Sequence, residues 1–413
     1  MMGQHGGAAF ILLYIGFVLL LGIPGMVAEF IVGREGGANA VRSYFKLGKR
    51  TPFALAGIIG LFASICILGF YSVISGWCLY FFYASMTGKL HGDTEQIKNV
   101  FDNFSTSAVT PAILSVVFII LTNLIVSRGI KEGIEKLSKI LMPLLFIFLI
   151  AISIAACSLP NAMEGIKFLF HPDFSKVDGA VVLGALGQAF FSLSLGAACL
   201  CTYASYFDKS INLLKSATEI ALIDTLVAIF AGLMIFPTAF SVGISPDSGP
   251  SLVFITLPNA FNLAFSSVPV LGDIISMMFY ILLALAAITS TISLHEMATA
   301  VFHEELHLSR KVAAAVVTTI CSVIAVLCSL SLGAEHINVG GKDLLDALDF
   351  FTGQILLPIV SMLTCLMVGW YLPKKMVKDE YTNWGATGAR LYGVFLFIIR
   401  FVCPILILII LFN

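Results

Sequence analysis

Residues 302–311 read FHEELHLSRK and contain the pattern H-E-x-x-H, running from His303 to His307. On a continuous helix, histidines four residues apart share one face. With a glutamate beside them to activate water, they form the ligand pair of a zinc peptidase. Such a site also needs a third protein ligand and an open position for water. In an intramembrane zinc peptidase that ligand would be an aspartate from a distant Leu-Asp-Gly stretch. The single Asp-Gly pair here is Asp178-Gly179, in a loop expected on the opposite side of a membrane. The competing reading makes His303 and His307 solvated residues at a helix end.

A second kind of chemistry comes from polar residues inside apolar runs. The stretch GQAFFSLSLGAACLCTYASY places Ser192, Ser194 and Gly196 mid-run, a combination that breaks a helix and frees backbone groups to bind ions. Two serines alone fit better a kinked helix with its hydroxyls back-bonded to the preceding turn. Asp224 lies inside EIALIDTLVAIFAG, where a carboxylate is costly unless paired, protonated or ion-bound. Thr289, Ser290 and Thr291 lie inside AAITSTISL, and hydroxyl runs of this kind often only bridge helices. Tyr71 is one aromatic residue among many in its run. Taken together, these groups fit a site for Na⁺, a hard cation that takes oxygen ligands, beside a zwitterionic solute.

The elements that must position these residues are membrane helices. Of the 413 residues 59% are apolar and 11% charged, far from the composition of a soluble domain. The bilayer is therefore the first partner, and a net charge of -1 offers nothing to nucleic acid. A crossing helix needs about 20 apolar residues. Ten spans are predicted: 9–33, 53–86, 109–127, 134–157, 183–205 (interrupted), 212–240, 268–302, 310–332, 343–372 and 388–411. The nine cysteines lie in or beside apolar runs without C-x-x-C spacing and read as reduced packing residues.

Of the 23 Lys and Arg residues, 17 fall in alternate loops, around 34–50, 128–139, 209–215, 310–311 and 374–390. Five (Lys89, Lys98, Lys167, Lys176 and Lys342) fall in the others, and Arg400 lies within a span. The positive-inside rule puts the first set in the cytoplasm. The first span then runs inward from outside, and the expectation is that a helix precedes Met1.

Several stretches in order carry a resemblance: GQHGGAAFILLYIGFVLLLGIPGMVAEFIVGREGG, FYSVISGW, GQAFFSLSLG, TYASY, IDTLVAIFAG, the ITLPNAF loop segment, ITSTISL, LSRK and LLDALDFFTG. The chain resembles the neurotransmitter:sodium symporter family, specifically its bacterial amino-acid transporters, over nearly its full length. The resemblance implies an all-α polytopic membrane protein with the LeuT-like inverted-repeat fold of five plus five helices. About ten helices would be present and the first missing. Residues 1–413 would form one domain, with 1–157 the rest of the first repeat, 183–372 the second, and 388–411 an extra C-terminal helix.

The function implied is sodium-coupled import of an amino acid by alternating access, in the inner membrane, with no enzymatic activity. Two alternatives are a non-transporting remnant that binds without cycling and the zinc peptidase. Carried over by motif, the substrate would meet Ile67, Tyr71, Phe191, Ser192, Ser194, Ala197, Ser290 and Leu294. Ser192 and Asp224 match the first sodium site; Ala286, Thr289 and Ser290 match the second. Gln188 and Asp349 match the outer gate, Tyr206 and Glu304 the inner. Asp349 and Glu304 would each pair with an arginine from an N-terminal segment. Asp224 stands where several relatives have asparagine, which implies that chloride is not required. Ala197 replaces a large residue, which implies room for a bulky apolar or aromatic amino acid.

Overall fold

The computed structural model describes residues 7–243, 252–333, 335, 337–386 and 388–412, with the side chain of Lys176 left out. The start of the glycine-rich stretch GQHGG lies outside the described residues. The helices are α1 (Ala8–Gly36), α2 (Ala40–Gly48), α3 (Pro52–Met86), α4 (Thr94–Ser105), α5 (Thr110–Val126), α6 (Ile130–Cys157), α7 (Ala162–Phe170), α8 (Gly179–Ser192), α9 (Cys199–Ala204), α10 (Leu213–Ser241), α11 (Leu252–Ala264), α12 (Pro269–Glu305), α13 (Arg310–Ser331), α14 (Leu344–Tyr371), α15 (Lys374–Tyr381) and α16 (Tyr392–Leu411). Eight of them are long and apolar enough to cross a bilayer unaided. The 17-residue α5 and the interrupted pair α8–α9 match the other two predicted spans. Among the described residues, the one departure from all-helical structure is a two-stranded ribbon, 338–339 against 342–343, leading into α14.

Local chemistry sets where the helices start. Asn39, Asp178, Asn212, Ser309 and Asp343 each accept a backbone N–H of the following first turn, which satisfies donors that lipid cannot. Helix α4 is amphipathic and carries a reciprocal cap between Asp93 and Gln96. It meets α5 at a 72° bend. Residues 252–264, expected as loop, form α11.

Two groups of helices emerge from the packing. In the first, α12 lies along α3 more extensively than any other pair touches, and α5 and α13 pack on both. Hydroxyls join these helices, Thr122 to Thr291 at 3.0 Å and Ser85 to Ser276 at 3.1 Å. In the second, α1 packs on α8, α9 and α10. The large side chains left exposed, such as Leu222, Ile154 and Phe397, form the apolar outer surface. All nine cysteines are free, and only Cys157 is not fully buried.

Candidate functional site

The site begins with the predicted helix break. Helix α8 stops at Ser192 and α9 starts at Cys199, leaving Leu193–Ala198 non-helical. Ser194, Gly196 and Ala198 have φ of 53°, 82° and 57°, in the left-handed region. At Gly196 the carbonyl of Leu357 in α14 occupies the place where a Cβ would be, so only glycine fits. The break is anchored on two sides. The Gly196 N–H donates to Glu29 Oε1 of α1 at 2.7 Å. The Ala197 carbonyl accepts from Ser64 of α3 at 2.7 Å.

Between this break, α3 and α12 lies a cavity of about 390 Å³. Every predicted substrate residue lines it. Ile67 and Tyr71 enter from α3, Phe191 and Ser192 from the end of α8, and Ser194 and Ala197 from the break. Ser290 and Leu294 enter from α12. Phe191 is 44% exposed at the cavity edge. Sequence reasoning missed Cys199, Ser293 and Leu357, which complete the wall. Ser293 accepts from the Tyr203 hydroxyl at 3.1 Å.

The hydroxyl run in α12 divides by face. Thr291 is buried and bridges to Thr122, the bland reading of such a run. Thr289 and Ser290 face the cavity, and both hydroxyls donate to the Ala286 carbonyl, at 2.7 and 3.4 Å. One helical turn thus presents a carbonyl and two hydroxyls, an oxygen-only set suited to Na⁺.

Asp224 of α10 reaches the other side of the break. Its Oδ2 accepts from Ser192 Oγ at 2.7 Å and from the Tyr14 hydroxyl of α1 at 2.6 Å. Tyr14 also lies 3.3 Å from Ser192 Oγ. Tyr14, missed in the sequence, lines a second cavity of about 260 Å³ together with Thr225. That cavity shares Gln188 and Ser192 with the first, so the predicted outer-gate glutamine stands where the two meet. Asp349, predicted for the same gate, is exposed on α14 and has no ion-pair partner among the described residues.

At the opposite end, the Tyr206 hydroxyl donates to Glu296 Oε1 at 3.1 Å. Glu296 is buried in α12 and ion-paired to Arg310 of α13. Arg310 also donates to the Val126 carbonyl at 3.0 Å, which ties in α5. Glu304 accepts from both the backbone N–H and Nδ2 of Asn39, each at 2.9 Å. Arg34 of α1 pairs with Glu380 of α15 at 2.6 Å and donates to the Ile211 carbonyl, also at 2.6 Å. Burial pushes the Glu380 carboxyl above its ordinary range, and the guanidinium offsets only part of this. Glu296 and Glu29 were both visible as carboxylates within predicted spans, the signal already applied to Asp224.

The zinc pattern fails on geometry. Helix α12 ends at Glu305, so His307 lies beyond it with φ 52° and does not share a helix face with His303. His303 Nδ1 faces the Leu308 carbonyl at 2.6 Å. Among the described residues no three His, Cys, Asp or Glu side chains converge as metal ligands. Asp178 instead caps α8.

Comparison with known proteins points the same way. The chain is 35% identical to an uncharacterized sodium-dependent transporter, YhdH, of Bacillus subtilis, covering 100% of this chain and 90% of that protein. It is 32% identical to an uncharacterized sodium-dependent transporter of Haemophilus influenzae, covering 99% and 91%. Its structure superposes on the crystal structure of MhsT in complex with L-phenylalanine with a TM-score of 0.89. The two are 40% identical, over 100% of this chain and 92% of that one. The sequence model of the Sodium:neurotransmitter symporter family matches residues 94–413. With a broken helix between two packed groups and side-chain oxygens on both sides of it, the chain belongs to the sodium:neurotransmitter symporter family, whose members are transporters and not enzymes.

Proposed function

We propose that the protein imports a hydrophobic or aromatic amino acid with Na⁺ by alternating access. The observation that carries this reading is the single cavity that gathers Ile67, Tyr71, Phe191, Ser192, Ser194, Ala197, Ser290 and Leu294 from three helices. The Tyr71 hydroxyl would hold the substrate carboxylate and Phe191 would cover the bound molecule. Ala197, which is small and buried, leaves room for a large side chain. The L-phenylalanine bound by the similar MhsT supports this choice of substrate class.

Na⁺ enters as a co-transported substrate. Ser192 and Asp224 would bind one ion, and Ala286, Thr289 and Ser290 a second. Each set touches the break or the cavity, so an ion favours the conformation in which the substrate site is formed. The Asp224 carboxylate supplies the negative charge of that region, and chloride is not required. Gln188 and Asp349 would act at the outer gate, Tyr206 and Glu304 at the inner. The repeat division at 1–157 and 183–372, with 388–411 additional, follows the same reading. So does placement in the inner membrane with the basic loops in the cytoplasm.

The test is ligand binding to purified protein, read as protection against thermal unfolding. L-Phenylalanine, L-tryptophan and L-leucine should protect in NaCl and not in KCl, and glycine in neither. Equal protection in both salts would refute sodium coupling. Protection by glycine alone would refute the substrate class.

A further inference from the structure

We propose that Arg400 and Trp370 form a binding site for the phosphate of an anionic phospholipid, on the outer surface between α14 and α16. Arg400 lies eight residues into α16, about 12 Å along the helix. A guanidinium there is costly unless its charge is met. Its Nε donates to the Gly369 carbonyl at 2.6 Å. Its two terminal nitrogens have no hydrogen-bond or ion-pair partner among the described residues.

The surrounding residues hold the guanidinium in a defined position. A Cβ on Gly369 would lie 3.0 Å from Arg400 Cγ, so the glycine lets the arginine stem lie against α14. The guanidinium carbon sits 5.0 Å from the centre of the Trp370 ring. The Trp370 indole N–H in turn donates to the Arg400 carbonyl at 3.4 Å. Phe401 meets Trp370 edge-on at 5.5 Å. These aromatics face outward, Trp370 being 57% exposed, Phe397 58% and Phe401 44%.

The depth and charge suit a headgroup. Gly369 and Trp370 lie at the last turn of α14, so the side chain reaches back along the helix toward the membrane interface, where tryptophan also prefers to sit. Just beyond the helix end come Lys374 and Lys375, both exposed. The Tyr392 hydroxyl donates to the Lys374 carbonyl at 3.3 Å, which ties this basic end to the start of α16. A planar guanidinium with both terminal nitrogens free to donate matches a phosphate oxygen pair, and the lysines favour a headgroup of net negative charge. A helix clip alone would need only the Nε bond. It would not need the guanidinium held over an exposed tryptophan ring.

The test is native mass spectrometry of the protein titrated with phosphatidylglycerol or phosphatidylcholine. Arg400→Gln should lower the affinity of one phosphatidylglycerol site about tenfold, the loss of one charge-assisted contact. Phosphatidylcholine binding should not change. Arg400→Lys should fall between, and Trp370→Leu should weaken the same site with Arg400 present. If Arg400→Gln does not fold, as judged by thermal unfolding, Arg400→Lys and Trp370→Leu carry the test. Unchanged phosphatidylglycerol binding in the folded variants would overturn the proposal. So would displacement of the lipid by millimolar inorganic phosphate, which would mark a free-anion site. A variant that changed the protein's oligomeric mass in place of its lipid count would instead mark a contact between copies, and would equally overturn it.

Discussion

Asp224→Asn separates charge from shape at the heart of the proposed ion site. Asp224 Oδ2 accepts two hydroxyl bonds, from Tyr14 at 2.6 Å and Ser192 at 2.7 Å. An asparagine carbonyl oxygen also has two lone pairs, so both bonds can persist and the packing of α1, α8 and α10 is kept. What disappears is one negative charge. For a unit pair 4 Å apart at an effective dielectric near 20, the attraction is about 4 kcal/mol, an upper limit for the loss. The amide dipole and water recover part of this, and an Na⁺ affinity loss of about tenfold or more, ~1.4 kcal/mol, is expected. The assay is phenylalanine binding titrated with Na⁺ at fixed ionic strength, in chloride and in gluconate. The native protein should behave alike in both. The variant should need at least tenfold more Na⁺ in gluconate and recover part of its affinity in chloride. A half-saturating Na⁺ concentration within twofold of the native value would refute the reasoning.

Three further outcomes follow from the same geometry. Glu29→Ala orphans the buried Gly196 N–H and should cost about 1–3 kcal/mol in chemical unfolding, whereas Glu29→Gln keeps the acceptor and should cost less. Glu296→Gln leaves Arg310 half-buried without its charge partner and should destabilise by about 3–5 kcal/mol, with the Arg310→Gln/Glu296→Gln pair less damaging than the sum; a double-mutant cycle of unfolding midpoints checks this. Ala197→Met should fill part of the cavity and lower phenylalanine affinity at least tenfold relative to alanine, measured by competition.

Much of this architecture was legible because a bilayer makes length and hydropathy decisive. Each of the ten predicted spans matches a helix or the α8–α9 pair within a few residues. The break could be read from F-F-S-L-S-L-G, since its cause is local. Helix α4 is too polar to show as an apolar run; its sequence signal is the cap between Asp93 and Gln96. Long-range pairings were not legible at all. Nothing near Asp224 in the chain points to Tyr14, 210 residues away, and nothing near Gly196 points to Glu29. The H-E-x-x-H match was already weak in the sequence, for want of a third ligand on the same side of the membrane, and the helix boundary removes it. Its chemistry requires a helix through His307, and α12 ends two residues earlier.

The central claim is that a sodium gradient drives an amino acid through this cavity. The direct measurement is uptake of labelled L-phenylalanine by proteoliposomes holding the full chain, with Na⁺ or K⁺ outside and choline inside. The account predicts accumulation above equilibrium only with the inward Na⁺ gradient, abolished by a sodium ionophore and by Tyr71→Phe. Accumulation that is the same with external K⁺, or sodium-dependent binding with no accumulation, would contradict it.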